Sequence, residues 1–305
     1  MFSQSTQKKF WLFSDESELL KARNDANKNF ILKHGAHLLE NDRKDFFLST
    51  NEEKLLLRQY ELQLREFCRR FEPPMPRSVI GTAFHYFKRF YLLNSVMDYH
   101  PKEILVTCVY LACKVDEFNV SISQFVKNIK GDRNKAADII LNNELLLMQV
   151  LNYNLTTRGT FNQPERLRDG VDEFLEKAFL TSAPLLVAPS QLALAAVLHA
   201  ASKVGENLDA YVTQTLLGDA GPERLANLTR SMVKSVEAPP RDTIRQIEKK
   251  LEKCRNQDNN PDSEAYKKRQ LESLEDEEER AARIYEAQRR RSDDDVDLTG
   301  LPKTP

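Results

Sequence analysis

Glycine is scarce in this chain of 305 residues, and its nine glycines include no glycine-rich loop of the kind that cradles phosphates. No apolar run reaches the roughly 18 residues that a transmembrane helix needs, so we expect no membrane contact. The N-terminal residues "MFSQSTQKKF" contain no continuous apolar stretch, and we expect no signal peptide. A net charge of −1 provides no general attraction for nucleic acid. The sequence therefore predicts a soluble, intracellular protein without direct nucleic-acid binding.

Cysteine is also rare, and its four positions form no C-x-x-C pair. Three of them lie in apolar helical patterns, where a reduced, buried thiol is expected. His34 and His37 are three residues apart, but no further ligand completes a metal site. No G-x-S-x-G or H-E-x-x-H motif is present, and the sequence does not indicate a catalytic pair of cysteine and histidine. We therefore expect neither catalysis nor a bound metal or cofactor.

Helical periodicity dominates the sequence, and strand-like alternation is almost absent, which predicts an all-α protein. An N-terminal arm and helix, residues 1–50, begins with "FWLF" at 10–13 and has Ser14 as the expected N-cap. The region 51–155 holds five predicted helices, at about 51–70, 77–93, 101–115, 121–129 and 135–152. The third of these is apolar nearly all round, so the others should surround it.

The pattern of the first region partly recurs in residues 156–238. Pro189 opens "PSQLALAAVLHAASKVG" much as Pro101 opens "PKEILVTCVYLACKVDE". We expect helices at about 164–182, from Pro189, in "LDAYVTQTLL" and at about 222–236. The ten residues 156–165 are too few for both a connection and a helix that buries one face. The second repeat should therefore lack its first helix.

The C-terminal part of the sequence divides in two. Residues 239–257 predict a helix with Ile244, Ile247 and Leu251 on one face. Residues 258–305 are rich in both charges and poor in apolar residues. We expect this tail to be a solvated helix or disordered.

One lysine ends the most apolar helix of the chain. Lys114 should share a helix face with Thr107, Tyr110 and Phe118, and Glu144 leads an apolar stripe on the fifth helix. If the two helices pack, the two charges lie beside apolar surface. The residues leave two interpretations open: a surface ion pair within the chain, or a docking surface for another protein.

Several segments resemble the cyclin family. "MPRSVIGTAFHYFKRFYLLNSVMDYHP" followed by "LACKVDEFNVS" is similar to the first cyclin box, and "NNELLLMQVLNYNL" supplies the glutamate that pairs with the lysine of "LACKVDE". "YFKRFY" resembles the transcription-linked cyclins. The similarity extends from about residue 1 to 257 and is strongest over 51–155. It implies tandem cyclin boxes with flanking helices.

The resemblance also implies a site. Lys114 and Glu144 would hold the backbone of a cyclin-dependent kinase, and Arg77 in "MPRS" would be structural. Four further residues would pack against the mobile helix of the kinase: Val115, Met148, Tyr153 and Leu155. Ser202 stands where the second repeat would carry the lysine, so only the first repeat should dock a kinase.

The implied function is a regulatory cyclin subunit without catalysis of its own. Its expected partners are the catalytic subunit of the CDK-activating kinase, a RING-finger assembly factor and the TFIIH core, in the nucleus. The kinase would bind the ATP and phosphorylate CDK activation loops and the C-terminal domain of RNA polymerase II. Two alternatives remain: a cyclin-fold transcription scaffold that activates no kinase, or another transcription cyclin with a different kinase.

Overall fold

The computed structural model describes residues 4–157, 167–205 and 238–297, with side chains described up to residue 287. All regular structure in these ranges is helical, as the periodicity predicts. The described α-helices are α1 (Thr6–Phe10), α2 (Glu16–His34), α3 (Glu40–Phe46), α4 (Thr50–Arg69), α5 (Arg77–Leu93), α6 (Pro101–Val115), α7 (Ile122–Phe125), α8 (Arg133–Val150), α9 (Arg168–Phe179), α10 (Ala183–Leu186), α11 (Pro189–Lys203), α12 (Arg241–Cys254) and α13 (Glu264–Asp297).

The five helices predicted in the first region are confirmed as α4 to α8. Each boundary differs by no more than a few residues, and a 3-10 turn at Val126–Asn128 extends α7. Ser49 begins α4 with a capping box, because its hydroxyl accepts from the Glu52 amide and the Glu52 carboxylate accepts from the Ser49 amide. Pro101 occupies the first turn of α6, where its missing N–H costs nothing.

Helix α6 forms the centre of this region, as its apolar sequence predicts. It packs against α4, α5 and α8, and ten of its residues are buried. The largest of these, Tyr110, contacts the Phe125 ring edge-on at a centroid distance of 5.2 Å. Burial of aromatic side chains contributes about 1.5–3 kcal/mol each, so this core dominates the stability of the region.

The N-terminal helices pack on the same core. Trp11 and Phe30 belong to it, and the Phe13 amide donates to the Leu185 carbonyl at 2.8 Å. The expected N-cap at Ser14 is wrong by one residue. Asp15 caps α2 by accepting from the Glu18 amide at 3.0 Å, while Ser14 donates to the Glu18 carboxylate at 2.9 Å. The predicted C-terminal helix is confirmed as α12, which contributes Ile244, Ile247 and Leu251 to this core.

The second region has a smaller core of its own, formed by α9, α10 and α11. Helix α9 covers Arg168–Phe179 and ends three residues before the predicted end at 182, while residues 164–166 lie outside the described residues. The expected helices in "LDAYVTQTLL" and at 222–236 lie outside the described residues. Residues 158–166 also lie outside them, so the loss of the first helix of this repeat stays a prediction.

A separate unit begins at Asn256. It contains a 3-10 turn at Gln257–Asn259 and the long helix α13, which forms charged pairs such as Arg283 with Glu279 at 2.8 Å. The described side chains of α13 are nearly all exposed. The tail was expected to be a solvated helix or disordered, and residues 264–287 form an exposed helix. None of the helices in the described ranges has the length and apolarity required to span a bilayer.

Candidate functional site

Lys114 lies in the last turn of α6, directly after the buried residues Ala112 and Cys113. The chain then turns sharply: Glu117 has a φ of 57°, and the Phe118 amide donates to the Cys113 carbonyl at 2.9 Å. A cation at this end of a helix also interacts favourably with the unpaired carbonyl groups. The turn directs the chain away from α6 and leaves 48% of the Lys114 side chain exposed.

Glu144 meets Lys114 from α8, across thirty residues of sequence. The ammonium Nζ donates to Oε1 at 2.7 Å and to Oε2 at 2.8 Å. The same Nζ lies 5.0 Å from the centroid of the Tyr110 ring, a cation–π geometry. Only 14% of the Glu144 side chain is exposed, so the carboxylate is more firmly placed than its partner. The packing of α6 on α8 therefore brings together the two charges that the sequence singled out.

Two exposed leucines flank this pair on α8, and sequence reasoning did not single them out. Leu141 and Leu145 lie one turn apart, next to Glu144, and about half of the Leu145 side chain is exposed. The sequence could have indicated them, because their spacing places both leucines on the same side of the helix as Glu144. An amphipathic helix that packs on a core does not ordinarily carry leucines on its polar side. Exposed leucines beside a charged pair give this surface the composition of a protein interface.

The other predicted contact residues differ in how much surface they offer. Val115, Met148 and Leu155 are partly buried against the first core. Tyr153 follows the end of α8 with a φ of 56° and is 60% exposed. Its amide donates to the Met148 carbonyl at 2.9 Å, which ends the helix. We call Lys114, Glu144, Leu141, Leu145, Met148 and Tyr153 the Lys114–Glu144 surface.

Residues after α8 are hydrogen-bonded to α5. The Tyr86 hydroxyl donates to the Leu155 carbonyl at 2.5 Å, and the hydroxyls of Thr82 and Thr157 are 2.6 Å apart. Thr82 also donates to Asp116 at 3.1 Å, and burial raises the pKa of that carboxyl. The loop that carries Tyr153 is thereby held by the buried face of α5.

Arg77 lies away from this surface. It begins α5 and forms an ion pair with Asp172 of α9, whose side chain is largely buried. The pair connects a helix of the first region to a helix of the second.

Among the described residues, no group of three or more histidine, cysteine or acidic side chains is placed to hold a metal ion. All four cysteines are free and buried. Burial raises the pKa of the Cys113 thiol to about 12 and that of Cys254 to about 11, so neither is a thiolate at neutral pH.

In the described part of the second repeat, the position that corresponds to Lys114 carries no cation. Ser202, the counterpart of Lys114, is exposed on α11. The neighbouring Lys203 pairs instead with Glu173 at 2.5 Å.

Comparison with known proteins agrees with the fold. Residues 40–156 match the family "Cyclin, N-terminal domain", and residues 144–257 match "Cyclin C-terminal domain". Cyclin-H of Xenopus laevis is 40% identical over 280 residues, covering 83% of this chain and 87% of that protein. Cyclin-H1-1 of Arabidopsis thaliana is 30% identical over 302 residues, covering 83% and 88%.

Solved structures give the same result. A chain of the CAK complex from Chaetomium thermophilum, bound to ATP-γ-S, has a TM-score of 0.73 and 25% identity, and the match covers 90% of this chain and 94% of that chain. A chain of the yeast TFIIK complex has a TM-score of 0.55 at 22% identity, covering 77% and 99%, and supports the fold alone. The resemblance inferred from the sequence is confirmed: this chain belongs to the cyclin family, within its cyclin-H group.

Proposed function

We propose that the chain is the regulatory cyclin subunit of a CDK-activating kinase and that it binds the catalytic subunit through the Lys114–Glu144 surface. The observation that carries this proposal is the bidentate pair of Lys114 and Glu144 beside exposed leucines. The similarity to cyclin-H proteins and to a chain of a CAK complex supports it.

The geometry explains how Lys114 and Glu144 can form hydrogen bonds with each other and still bind a partner. An ammonium group has three donors and a carboxylate has about four acceptor sites, so each keeps free capacity after the internal pair forms. Lys114 can donate to backbone carbonyls of the kinase, and Glu144 can accept from its backbone amides. Leu141, Leu145 and Tyr153 supply apolar contact area around these bonds.

Activation follows from preferential binding to one state of the kinase. A cyclin that contacts the mobile helix only in its inward position stabilises the state in which the catalytic lysine–glutamate pair of the kinase can form. The kinase then binds ATP and transfers phosphate to CDK activation loops and to the C-terminal domain of RNA polymerase II. A RING-finger assembly factor and the TFIIH core complete the proposed nuclear assembly.

The test is co-expression with the catalytic subunit of a CDK-activating kinase, followed by measurement of affinity and of activity on a C-terminal-domain peptide. Lys114→Ala and Glu144→Ala should each weaken binding by about tenfold or more, since charged hydrogen bonds contribute about 1.5–3 kcal/mol. The melting temperature should change less than the kinase affinity does, because Lys114 is about half exposed and a pair with one exposed partner contributes about 1 kcal/mol.

Ser202→Ala is the matched control, at the equivalent position of the second repeat, and should leave kinase binding unchanged. If both docking variants bound the kinase as tightly as the unmodified chain, the assignment of this surface would be wrong.

A further inference from the structure

Large apolar side chains are exposed on the charged helix α13. Leu271 is 58% exposed, Leu274 is 57% exposed and Tyr285 is 70% exposed. They belong to a row of residues that recurs every three or four positions and therefore lies on one side of the helix. We call this row the α13 stripe: Leu271, Leu274, Glu278, Ala281, Ala282 and Tyr285. A stripe with this spacing is typical of a helix that pairs with a second helix.

The charges of α13 are arranged in blocks along its length. Residues 267–269 are all basic, and six of the eight residues 272–279 are acidic. Residues 280–291 contain five arginines and one acid, and residues 293–295 are all aspartate. The order along the helix is therefore positive, negative, positive, negative. A second copy that runs in the opposite direction, centred on Ala281, places a block of opposite charge beside each of these blocks.

The acidic block is only partly neutralised within its own helix. Arg283 pairs with Glu279 at 2.8 Å, at the boundary of two blocks. Glu275 and Glu278 lie further inside the acidic block, where every residue three or four positions away is acidic or apolar. Like charges at this spacing destabilise a helix. A basic surface from outside α13 would remove this repulsion and cover the α13 stripe at the same time.

We propose that two copies of this chain associate through α13 as an antiparallel pair of helices centred near Ala281. Each acidic block then lies along the arginine-rich block of the other copy, and Leu274 lies within about one turn of the partner's Tyr285. A parallel pair would place each acidic block beside its counterpart and one Glu278 against the other, which like-charge repulsion opposes. A second copy fits this helix because it carries the required basic block in the required direction.

This association goes beyond the proposed function and uses none of the residues in the Lys114–Glu144 surface. The first test is sedimentation of the full chain over a wide range of concentrations, in low and in high salt. We expect a reversible equilibrium between one chain and two, weakened about tenfold or more in high salt because salt screens exposed charges. A chain that stays monomeric under all of these conditions, or that associates equally in low and high salt, would overturn the proposal.

Charge reversal tests whether the acidic and arginine-rich blocks meet. Two double variants are compared: Glu275→Lys with Glu278→Lys, and Arg280→Glu with Arg283→Glu. Each should dimerise about tenfold or more weakly than the unmodified chain, because four charges per pair of chains change sign. An equimolar mixture of the two variants should recover the dimer, since each reversed block then meets a block of opposite charge. A mixture that stays monomeric would refute the proposal.

Lys21→Glu with Lys28→Glu is the matched control, because it reverses two exposed positive charges on α2 and changes the net charge as much as the arginine variant does. It should dimerise like the unmodified chain, and loss of the dimer in this control would contradict a role for the blocks of α13. The reversed side chains of α13 are exposed, so circular dichroism should show folded chains in every case. Lys114→Ala should also dimerise normally, which keeps this test separate from that of kinase binding.

Cross-linking tests the direction of the pair. A short bis-maleimide should join two chains that carry Ala281→Cys, because this position lies at the centre of an antiparallel pair. Ala265→Cys lies sixteen residues away, so its two copies would be about 50 Å apart at about 1.5 Å of rise per residue and should not be joined. The native cysteines are buried and should contribute no cross-link. Efficient cross-linking through Ala265→Cys, or none through Ala281→Cys, would show that the antiparallel arrangement is wrong.

Discussion

Each helical repeat contains a helix that begins with proline, α6 in the first and α11 in the second, but the described residues that pack around these two helices differ. The first core is built from large rings, including the fully buried Phe84, Phe87, Phe90 and Phe125. Among the described residues, the second core contains six buried alanines, four of them on α11: Ala178, Ala183, Ala195, Ala196, Ala200 and Ala201. Large rings separate helices and small side chains let them approach closely. The same sequence pattern thus supports two packing solutions, and among the described residues the pair of Lys114 and Glu144 belongs to the first.

The largest expected effect tests the ring-filled core. Phe90→Ala should lower the free energy of unfolding by about 3–5 kcal/mol, because it leaves a cavity beside the Tyr91 and Tyr99 rings. Leu93→Ala on the same helix removes an exposed side chain and should cost far less. Chemical denaturation measures both. A loss below about 1 kcal/mol for Phe90→Ala would show that rings do not dominate this core.

A buried carboxyl makes the first region sensitive to pH. Burial raises the pKa of Glu53 to about 7 from its ordinary 4.5, although the Ser95 hydroxyl donates to it. The folded state therefore favours the protonated carboxyl, and the stability that this provides is complete below about pH 4.5 and lost as the pH rises to about 7. The shift corresponds to about 3 kcal/mol.

Glu53→Gln should accordingly be more stable than the unmodified chain at pH 8, by up to about 3 kcal/mol, and similar to it near pH 4.5. Urea denaturation at several pH values measures this difference. Glu66→Gln, at a partly exposed position of the same helix, is the control and should show no such trend. A difference for Glu53→Gln that does not change with pH would contradict the raised pKa.

The smallest expected effect tests close helix approach in the second region. A Cβ atom at Gly170 of α9 would lie 2.8 Å from the Ala200 Cβ of α11. Gly170→Ala should therefore cost about 1–3 kcal/mol through overpacking. In an Ala200→Gly background the penalty should shrink, although the Ala200 Cα would still be close. Thermal melting of the single and double variants measures this coupling, and additive effects would contradict it.

Much of the fold could be predicted because local signals agreed. Periodicity, the capping sequence at Ser49 and the prolines that open α6 and α11 all placed helices where the structure has them. The N-cap of α2 was misplaced because Ser14 and Asp15 are both good capping residues. Local sequence does not decide which of two adjacent candidates the packing selects.

The site was predictable only in part. Lys114 and Glu144 were conspicuous because each charge adjoins an apolar stripe, but their contact depends on how α6 and α8 pack. Lys88 gave no such signal. Lysines are ordinarily exposed, and the sequence does not show that packing would bury Lys88 against Glu61. Buried charge depends on tertiary arrangement, which periodicity does not encode.

The positions of the four cysteines allow local unfolding of the first core to be measured without adding a probe. Cys68, Cys108, Cys113 and Cys254 are all buried, and all four belong to the ring-filled core. A thiol-modifying reagent can reach them only when that core opens. The rate of modification therefore measures the local unfolding of the first core and does not report on the second core. Mass spectrometry of the partly modified chain then gives the rate of opening of the region that carries the Lys114–Glu144 surface.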